Sequence, residues 1–506
     1  MGLFGPLVSI LSSSPTTLLG AVAVLLFLYL LFSNFISQQG RTEPPGPRRL
    51  PLIGNLLQLD LKRPYETLCE LSKEYGSVFT IYMGINKVVV LAGYETVKEA
   101  LVNHGEEFGN RDISPILYET NLGYGIAFAN GESWKEMRTF AITVLREFVM
   151  ETSAAEDKIT EECSHVIQIL EKHQGKPFET ADPINNATFN IIASIVYGSR
   201  FEYDDPTFTS MVERNDESVR LAGSKLIQIY NMFPKLTGWI SDRTQMLNNA
   251  ETNVKEVRSV VKTLQETLNP DKCRGFVDHF LVRMQKDEDA QVKDTYFTEM
   301  NLIVSVSSLF RAGVRATAGS LQWALLFMAR YPQIQNQVYE ELNRVVGSRQ
   351  VRVNDRESLP YTNAVIHEIQ RLADVTPLAI PHQTSQDVTF HDYFIKKGTT
   401  VFALLTSVLY DETQWESPLT FNPGHFLDEE GKFIKRDAFL PLSAGWRMCI
   451  GESLAKMELF LFFTSLLQRF QFTPPPGVKE DELDLTSVPG FTRVPLRHKL
   501  CAIIRQ

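Results

Sequence analysis

Between Thr298 and Arg330 the chain carries no proline, places Glu299 where a first helical turn begins, and stops at Tyr331-Pro332. That pattern predicts a single α-helix of roughly 50 Å, and a helix of this length sets the width of the domain that packs around it. Its middle reads Phe310-Arg311-Ala312-Gly313, where two successive small side chains leave a groove for a flat ligand or for dioxygen. Small residues also let helices approach closely, and this plainer reading stands beside the first. From about Arg63 onward helical periodicity dominates, with short strand-like runs at Val78–Tyr82, Lys87–Leu91 and Thr400–Ala403. The expected fold is mainly α with a small β region.

Leu18 to Ile36 is almost continuously apolar, broken only by Gly20, Ser33 and Asn34, and the first charged residue is Arg41. About 20 helical residues cross a bilayer core, so residues 1–40 are expected to hold a single-pass membrane anchor, an N-terminal transmembrane helix at about 16–36. The segment has neither a basic n-region nor a small-residue cleavage site, unlike a removable signal. Arg41, Arg48 and Arg49 put positive charge on its C-terminal side, which assigns that side to the cytoplasm. Pro44-Pro45-Gly46-Pro47 then predicts a stiff, extended connection within residues 41–55, with residues 56–506 expected to form the main folded domain.

The 506 residues, 44% of them hydrophobic, can bury a large core, and a formal charge of −10 argues against a nucleic-acid partner. Cys69, Cys163, Cys273, Cys449 and Cys501 are odd in number, widely spaced and free of C-x-x-C pairs. That spacing argues against a disulfide framework or a zinc ribbon, and the absence of C-x-x-C-H excludes covalent c-type haem. Cys449 stands in Leu442-Ser443-Ala444-Gly445-Trp446-Arg447-Met448-Cys449-Ile450-Gly451, directly ahead of an apolar helical run from Glu452. Two glycines flank the sulfur where the backbone must turn tightly or approach a flat ligand. The following helix terminus should lower the thiol pKa, and Arg447 offers a cation to a carboxylate. This context suits a thiolate ligand of haem iron; the alternative is an inert buried thiol.

The segment resembles the cysteine loop of the cytochrome P-450 superfamily, F-x-x-G-x-R-x-C-x-G, with Leu442 in place of the phenylalanine that shields the sulfur. Glu368 and Arg371 resemble its E-x-x-R pair, and Pro423-Gly424-His425-Phe426 supplies the third partner, His425. In the family this buried trio braces the cysteine loop. Trp134 and Arg138 resemble the W-x-x-x-R helix. The resemblance implies haem b with Cys449 as axial iron ligand, Gly451 beside the cofactor, and Arg111, Trp134, Arg138, His382 and Arg447 toward its propionates.

The likeness runs from about Pro44 to the C-terminus. Phe421–Asp428, Leu59–Tyr65 and Phe201–Pro206 narrow it to the vertebrate microsomal second family, most similar to the fish-type subfamily K. It implies a monooxygenase of the endoplasmic reticulum membrane, its catalytic domain cytoplasmic, that oxidises fatty acids and foreign lipophilic compounds with dioxygen and NADPH-derived electrons. Only 57 residues follow Cys449, whereas a flavin domain needs on the order of 100 or more, so the electrons are expected to come from another protein. The family implies NADPH-cytochrome reductase, with cytochrome b5 as a candidate second donor. Lys432, Lys435, Arg436, Lys456, Lys135 and Arg146, near Trp446, offer it positive charge. Matching positions put substrate contacts at Ile113–Leu122, Phe310–Gly313, Leu378–Ile380 and Gly490-Phe491.

One departure bears on chemistry. The family's central helix reads A-G-x-[DE]-T, its acid and alcohol organising the water that delivers protons during dioxygen activation. Here the run is Ala312-Gly313-Val314-Arg315-Ala316-Thr317, and Thr317, one residue late, lies about 100 degrees round the helix. Slow or poorly coupled oxygenation with release of hydrogen peroxide is expected. Arg311 and Arg315, at i and i+4, repel and call for acidic side chains, solvent or a carboxylate ligand nearby. Two rival readings keep the haem: an enzyme using peroxide or catalysing isomerisation, and a ligand-binding relic. A third, a membrane scaffold, has none.

Overall fold

The computed structural model describes residues 19–25, 42–150 and 152–505. These residues are mainly helical. The helices that position the site are α1 (Pro115–Asn121), α2 (Gly131–Met150), α3 (Ala181–Val196), α4 (Pro206–Ala222), α5 (Lys225–Met232), α6 (Ser241–Glu266), α7 (Glu299–Arg330), α8 (Pro360–Ala373) and α9 (Glu452–Arg469). Helix α7 is the long helix expected from the sequence. The Thr298 hydroxyl accepts the Asn301 N–H at its start, satisfying one of the free donors of a helix end, and Pro332 begins the next helix. Residues 301–310 and 317–329 of α7 are buried, because α3, α8 and α9 pack around it.

Beside this helical body lies a sheet of β1 (Val78–Met83), β2 (Asn86–Leu91), β3 (Asn110–Arg111), β4 (His382–Gln383) and β5 (Thr400–Ala403), in the order β1-β2-β5-β4-β3. The β2–β5 pair is parallel and the others are antiparallel. The three strand-like runs of the sequence are β1, β2 and β5. Antiparallel register sets Arg111 directly opposite His382, bringing together two residues far apart in the chain.

The proline-rich stretch packs as part of the body. The Thr80 N–H donates to the Pro45 carbonyl at 2.7 Å, and a Cβ on Gly46 would lie 1.9 Å from the Thr80 oxygen. Buried Asn55 accepts from the Tyr82 N–H at 2.7 Å and donates back to the Pro47 and Arg48 carbonyls. The prolines therefore stiffen a strap bonded along β1. Most of the expected anchor helix at about 16–36 lies outside the described residues; 19–25 are helical and exposed. Among the described residues no helix is long and apolar enough to cross a membrane.

Candidate active site

The cysteine loop folds through two left-handed residues, Ser443 (φ 62) and Gly445 (φ 71), and a short 3₁₀ turn at Gly445–Arg447. Gly445 is dictated by space as well as by φ: a Cβ there would stand 1.7 Å from the Leu101 carbonyl oxygen. The Cys449 N–H donates to the Leu442 carbonyl at 3.1 Å and closes the loop, a bond that the exchange of side chain at 442 leaves intact. Gly451 is different. Its φ is ordinary, and a Cβ would meet only the Cys449 Sγ, at 3.9 Å, so the protein's own packing does not require glycine there.

Cys449 is accessible yet surrounded by protein atoms, as at the floor of a recess. Burial pushes its thiol pKa up, outweighing the Gly451 backbone N–H and the Arg138 charge that pull it down. The lowered pKa expected from a helix terminus is thus not found. Desolvation of the thiolate is the larger effect, and a stable thiolate at this position needs a further cation.

Three guanidinium groups and an imidazole crowd the neighbourhood. The Arg447 Nε donates to the Gly109 carbonyl at 2.7 Å, its Nη2 to the Ala129 carbonyl and to Asn130 Oδ1, and its carbon lies 3.4 Å from the Trp134 ring centre. Arg111 donates to the Ile380 and Arg447 carbonyls, and Arg138 to the Met448 carbonyl at 2.9 Å, just before the sulfur. Among the described residues no partner meets Arg111 Nε, Arg447 Nη1, Trp134 Nε1 or His382 Nε2, all buried. Burial, then mutual repulsion, lowers the pKa of Arg111 to about 9 and of Arg447 to about 8. His382 is held well below the usual range by burial and by Arg111, while its Nδ1 lies 2.8 Å from the Phe108 carbonyl. A carbonyl only accepts, so the proton of the neutral ring sits on Nδ1.

Asn130 is a site residue that sequence reasoning missed. Its Oδ1 accepts from both the Arg111 N–H and the Arg447 guanidinium, and its Nδ2 returns a bond to the Arg111 carbonyl. An asparagine before glycine at a helix start signals only a cap or turn, and its two arginine partners are distant in sequence.

Helix α8 carries Glu368 and Arg371, both 0% exposed, joined by two bonds of 2.7 Å in a bidentate pair. His425 Nδ1 lies 3.2 Å from both Glu368 oxygens, and the Ser417 N–H donates to its Nε2, which fixes the proton on Nδ1 and the ring as donor to Glu368. Among the described residues the trio's backbone bonds run to the chain ahead of the cysteine loop. Arg371 donates to the carbonyls of Leu409, Pro418 and Thr420, and Glu368 accepts from the Asn422 N–H. Support for the loop passes on through rings: Phe426, beside His425, meets Phe439 at 5.2 Å, and Phe439 precedes Leu440–Leu442.

On α7, Gly313 and Ala312 have different roles. A Cβ on Gly313 would overlap Ile192 of α3 at 2.4 Å, so this glycine serves close helix packing, the plainer of the two readings. Ala312 is exposed although buried residues flank that part of the helix. Helix α7 runs as regular α-helix through Thr317, so no distortion returns the Thr317 hydroxyl to the position held by Ala316. Arg315 pairs with Asp216 of α4, and Arg311 donates to Asn121 Oδ1 of α1 at 3.1 Å.

The loop, the buried trio and the cation cluster meet in a chain with extensive relatives. The Cytochrome P450 family model matches residues 44–502. Cytochromes P450 2K1 and 2K4 of Oncorhynchus mykiss are each 59% identical over 494 residues, 98% of this chain and of theirs. Cytochrome P450 2K6 of Danio rerio is 54% identical over 497 residues, again 98% of both chains. A family match over residues 44–502, with relatives this similar along nearly the full chain, means that this chain belongs to the cytochrome P450 family.

Proposed function

We propose that the chain is a membrane-attached haem-thiolate monooxygenase that hydroxylates lipophilic substrates, fatty acids and foreign compounds among them, with Cys449 as the axial ligand of haem b. Cytochromes P450 carry haem b, and the bound haem supplies the oxygen-activating chemistry, drawing on dioxygen and NADPH-derived electrons. The observation that carries the assignment is the buried cation set. Arg111 Nε, Arg447 Nη1 and Trp134 Nε1 are N–H groups without acceptors, and among the described residues Arg111, Arg138 and Arg447 have no carboxylate in ion-pair reach. Two propionates answer both the missing acceptors and the uncompensated charge. His382 joins them as a donor only when protonated, a state that an adjacent anion favours.

The chain's residues divide the remaining work. Asn130 and the Trp134 ring orient Arg447, and Arg138 holds the Met448 carbonyl next to the sulfur. Gly451 leaves room at the sulfur for a flat cofactor. Exposed Ala312 admits a ligand beside α7, while Arg315 and Ala316 supply neither acid nor alcohol, so proton delivery is weak and hydrogen peroxide escapes. That same loss favours one alternative, the use of hydrogen peroxide in place of dioxygen and NADPH.

The domain plan is an anchor in residues 1–40, a hinge at 41–55 and a catalytic domain at 56–506, attached to the endoplasmic reticulum membrane on its cytoplasmic side. An exposed apolar surface supports the attachment: Leu226, Ile229, Leu236 and Trp239, the last 82% exposed, follow one another in and after α5. Leu52 joins them, since Met232, Phe233 and the Leu52 carbonyl all border Gly84. NADPH-cytochrome reductase, with cytochrome b5 as second donor, is the proposed electron source. Lys432, Arg436, Lys456 and Lys135 already pair with neighbouring glutamates, so the docking charge of that face rests more on Lys435 and Arg146 than composition suggested.

The deciding experiment compares the wild type with Cys449→Ala. The reduced wild type with carbon monoxide should show a thiolate-type Soret band that the variant lacks, and a variant that keeps it rejects the assignment. Product formation with NADPH and reductase, set against product formation with hydrogen peroxide alone, separates monooxygenase from peroxide user.

A further inference from the structure

We propose that Arg493 and Asp374 are positioning residues for the monooxygenase reaction: their ion pair clips the turn 488–494 to the segment 374–381, fixes where Phe491 stands, and so selects which carbon of a bound substrate is oxidised. The inference rests on the monooxygenase reading and adds to it two residues that act on the site through others. Segment 374–381 leads from the end of α8 toward β4. The Thr376 hydroxyl donates to the carbonyl of Pro441, next to Leu442, at 3.2 Å, while the Ile380 and Pro381 carbonyls accept from the Arg111 guanidinium and the Asp112 N–H. One short segment thus spans from the cysteine loop to the cation set.

The turn 488–494 is closed at its neck, where the Val488 N–H donates to the Val494 carbonyl at 2.8 Å. Its tip, Gly490-Phe491, packs on Gly223 just past α4, so closely that a Cβ on Gly223 would stand 2.8 Å from Gly490 Cα. The neck rests on α7: a Cβ on Gly319 would lie 2.6 Å from Val494, and the Trp323 ring N–H donates to the Arg493 carbonyl at 3.0 Å. Arg493 then joins turn to segment twice. Its N–H donates to the Val375 carbonyl at 2.9 Å, and its Nη1 donates to Asp374 Oδ2 at 3.2 Å and to the Tyr410 hydroxyl at 3.1 Å. A single backbone bond leaves the neck free to pivot, and a second contact from the side chain fixes its direction. Asp374 is 1% exposed and also accepts the Thr406 hydroxyl at 2.6 Å. Among the described residues Arg493 has no other acid, and Asp374 no other cation, in ion-pair reach. Burial pushes the Asp374 carboxyl up to about 6 although Arg493 pulls it down, so without the guanidinium the acid takes up a proton near neutral pH and the neck loses its charged hold.

The test uses the full-length holoprotein in lipid discs with dodecanoate as probe. Hydroxylation positions are read by mass spectrometry, with NADPH and reductase and separately with hydrogen peroxide, and hydrogen exchange is read at the amides of 488–494. Arg493→Gln and Asp374→Asn should each shift the ratio of hydroxylation positions by roughly threefold to tenfold. Asparagine tolerates the left-handed backbone of position 374 (φ 43), so that variant keeps the fold. In both, exchange in the turn should quicken by roughly tenfold while the Cys449 loop keeps its wild-type rates. The double variant should shift the ratio no further than the larger single effect, because both changes remove one contact, and Arg493→Lys should restore most of the wild-type ratio. Phe491→Ala, at the exposed tip, leaves the ion pair intact and should still shift the ratio. An unchanged ratio in Arg493→Gln or in Phe491→Ala, or additive shifts in the double variant, overturns the proposal. A wild type that hydroxylates under neither condition fails the monooxygenase reading instead, and unchanged exchange in Arg493→Gln overturns the clip by itself.

Discussion

Arg315 occupies an acid's position on α7, and its pairing with Asp216 gives the exchange a structural consequence. Restoring glutamate alone would set two carboxylates together on α7 and α4, so proton delivery can be rebuilt only if Asp216 is neutralised as well. The variant Arg315→Glu/Ala316→Thr/Asp216→Asn should raise product formed per NADPH and lower hydrogen peroxide release. A positioned acid typically contributes about 10²- to 10⁴-fold, and an unchanged ratio rules the coupling argument out. The two glycines of the loop separate in the same way. Gly445→Ala meets the Leu101 oxygen and forces alanine to positive φ, so it should destabilise the protein by roughly 1–3 kcal/mol or more in chemical unfolding. Gly451→Ala meets nothing closer than 3.9 Å and should leave apoprotein stability unchanged while reducing haem content. Equal losses of stability in the two would remove the distinction. The sequence marked both glycines as special; only the φ of each and the place of the Leu101 carbonyl tell which is held by the fold.

At the scale of elements, α8 works as a bracket whose grip lies ahead of the cysteine loop. Arg371→Leu leaves the Glu368 carboxylate buried with only His425 and one backbone N–H, and should cost about 3–5 kcal/mol of unfolding free energy. His425→Gln, which can still donate, should cost less; losses in the reverse order would show that the arginine is not the principal brace. The pair itself was legible because i and i+3 share a helix face, and α7 was legible because a long proline-free run has few alternatives. The destinations of Arg371 were not, since the carbonyls of 409, 418 and 420 belong to irregular chain without a period. Strands β3 and β4 escaped for a related reason: two residues cannot show an alternation, yet their pairing sets Arg111 against His382. The stiffness of the proline strap was legible, but proline does not tell which strand edge the stiff segment will meet.

For the whole molecule, the buried histidines tie stability to pH. His367 of α8 is buried among Phe426, Phe433 and Phe439, and its Nδ1 lies 2.7 Å from the Asn363 carbonyl. Burial, with Arg356, Lys456 and Lys435 adding repulsion, lowers its pKa to about 3. The unfolded chain takes up a proton near pH 6.5 while the native ring stays neutral, so acid favours unfolding over the window between those values. Stability contributed by this ring is complete above pH 6.5 and is lost as pH falls, by about 1.4 kcal/mol per pH unit until pH 3 is approached. Urea unfolding at pH 7 and at pH 5 should therefore show a smaller loss in His367→Phe than in the wild type, by about 2 kcal/mol. The comparison of slopes matters more than either midpoint, because carboxylates protonating in the native protein contribute equally to both chains. An identical slope in the variant would mean that His367 is protonated in the native state, and the ring cluster that carries the bracket's grip toward Leu442 would then hold a charge at its centre.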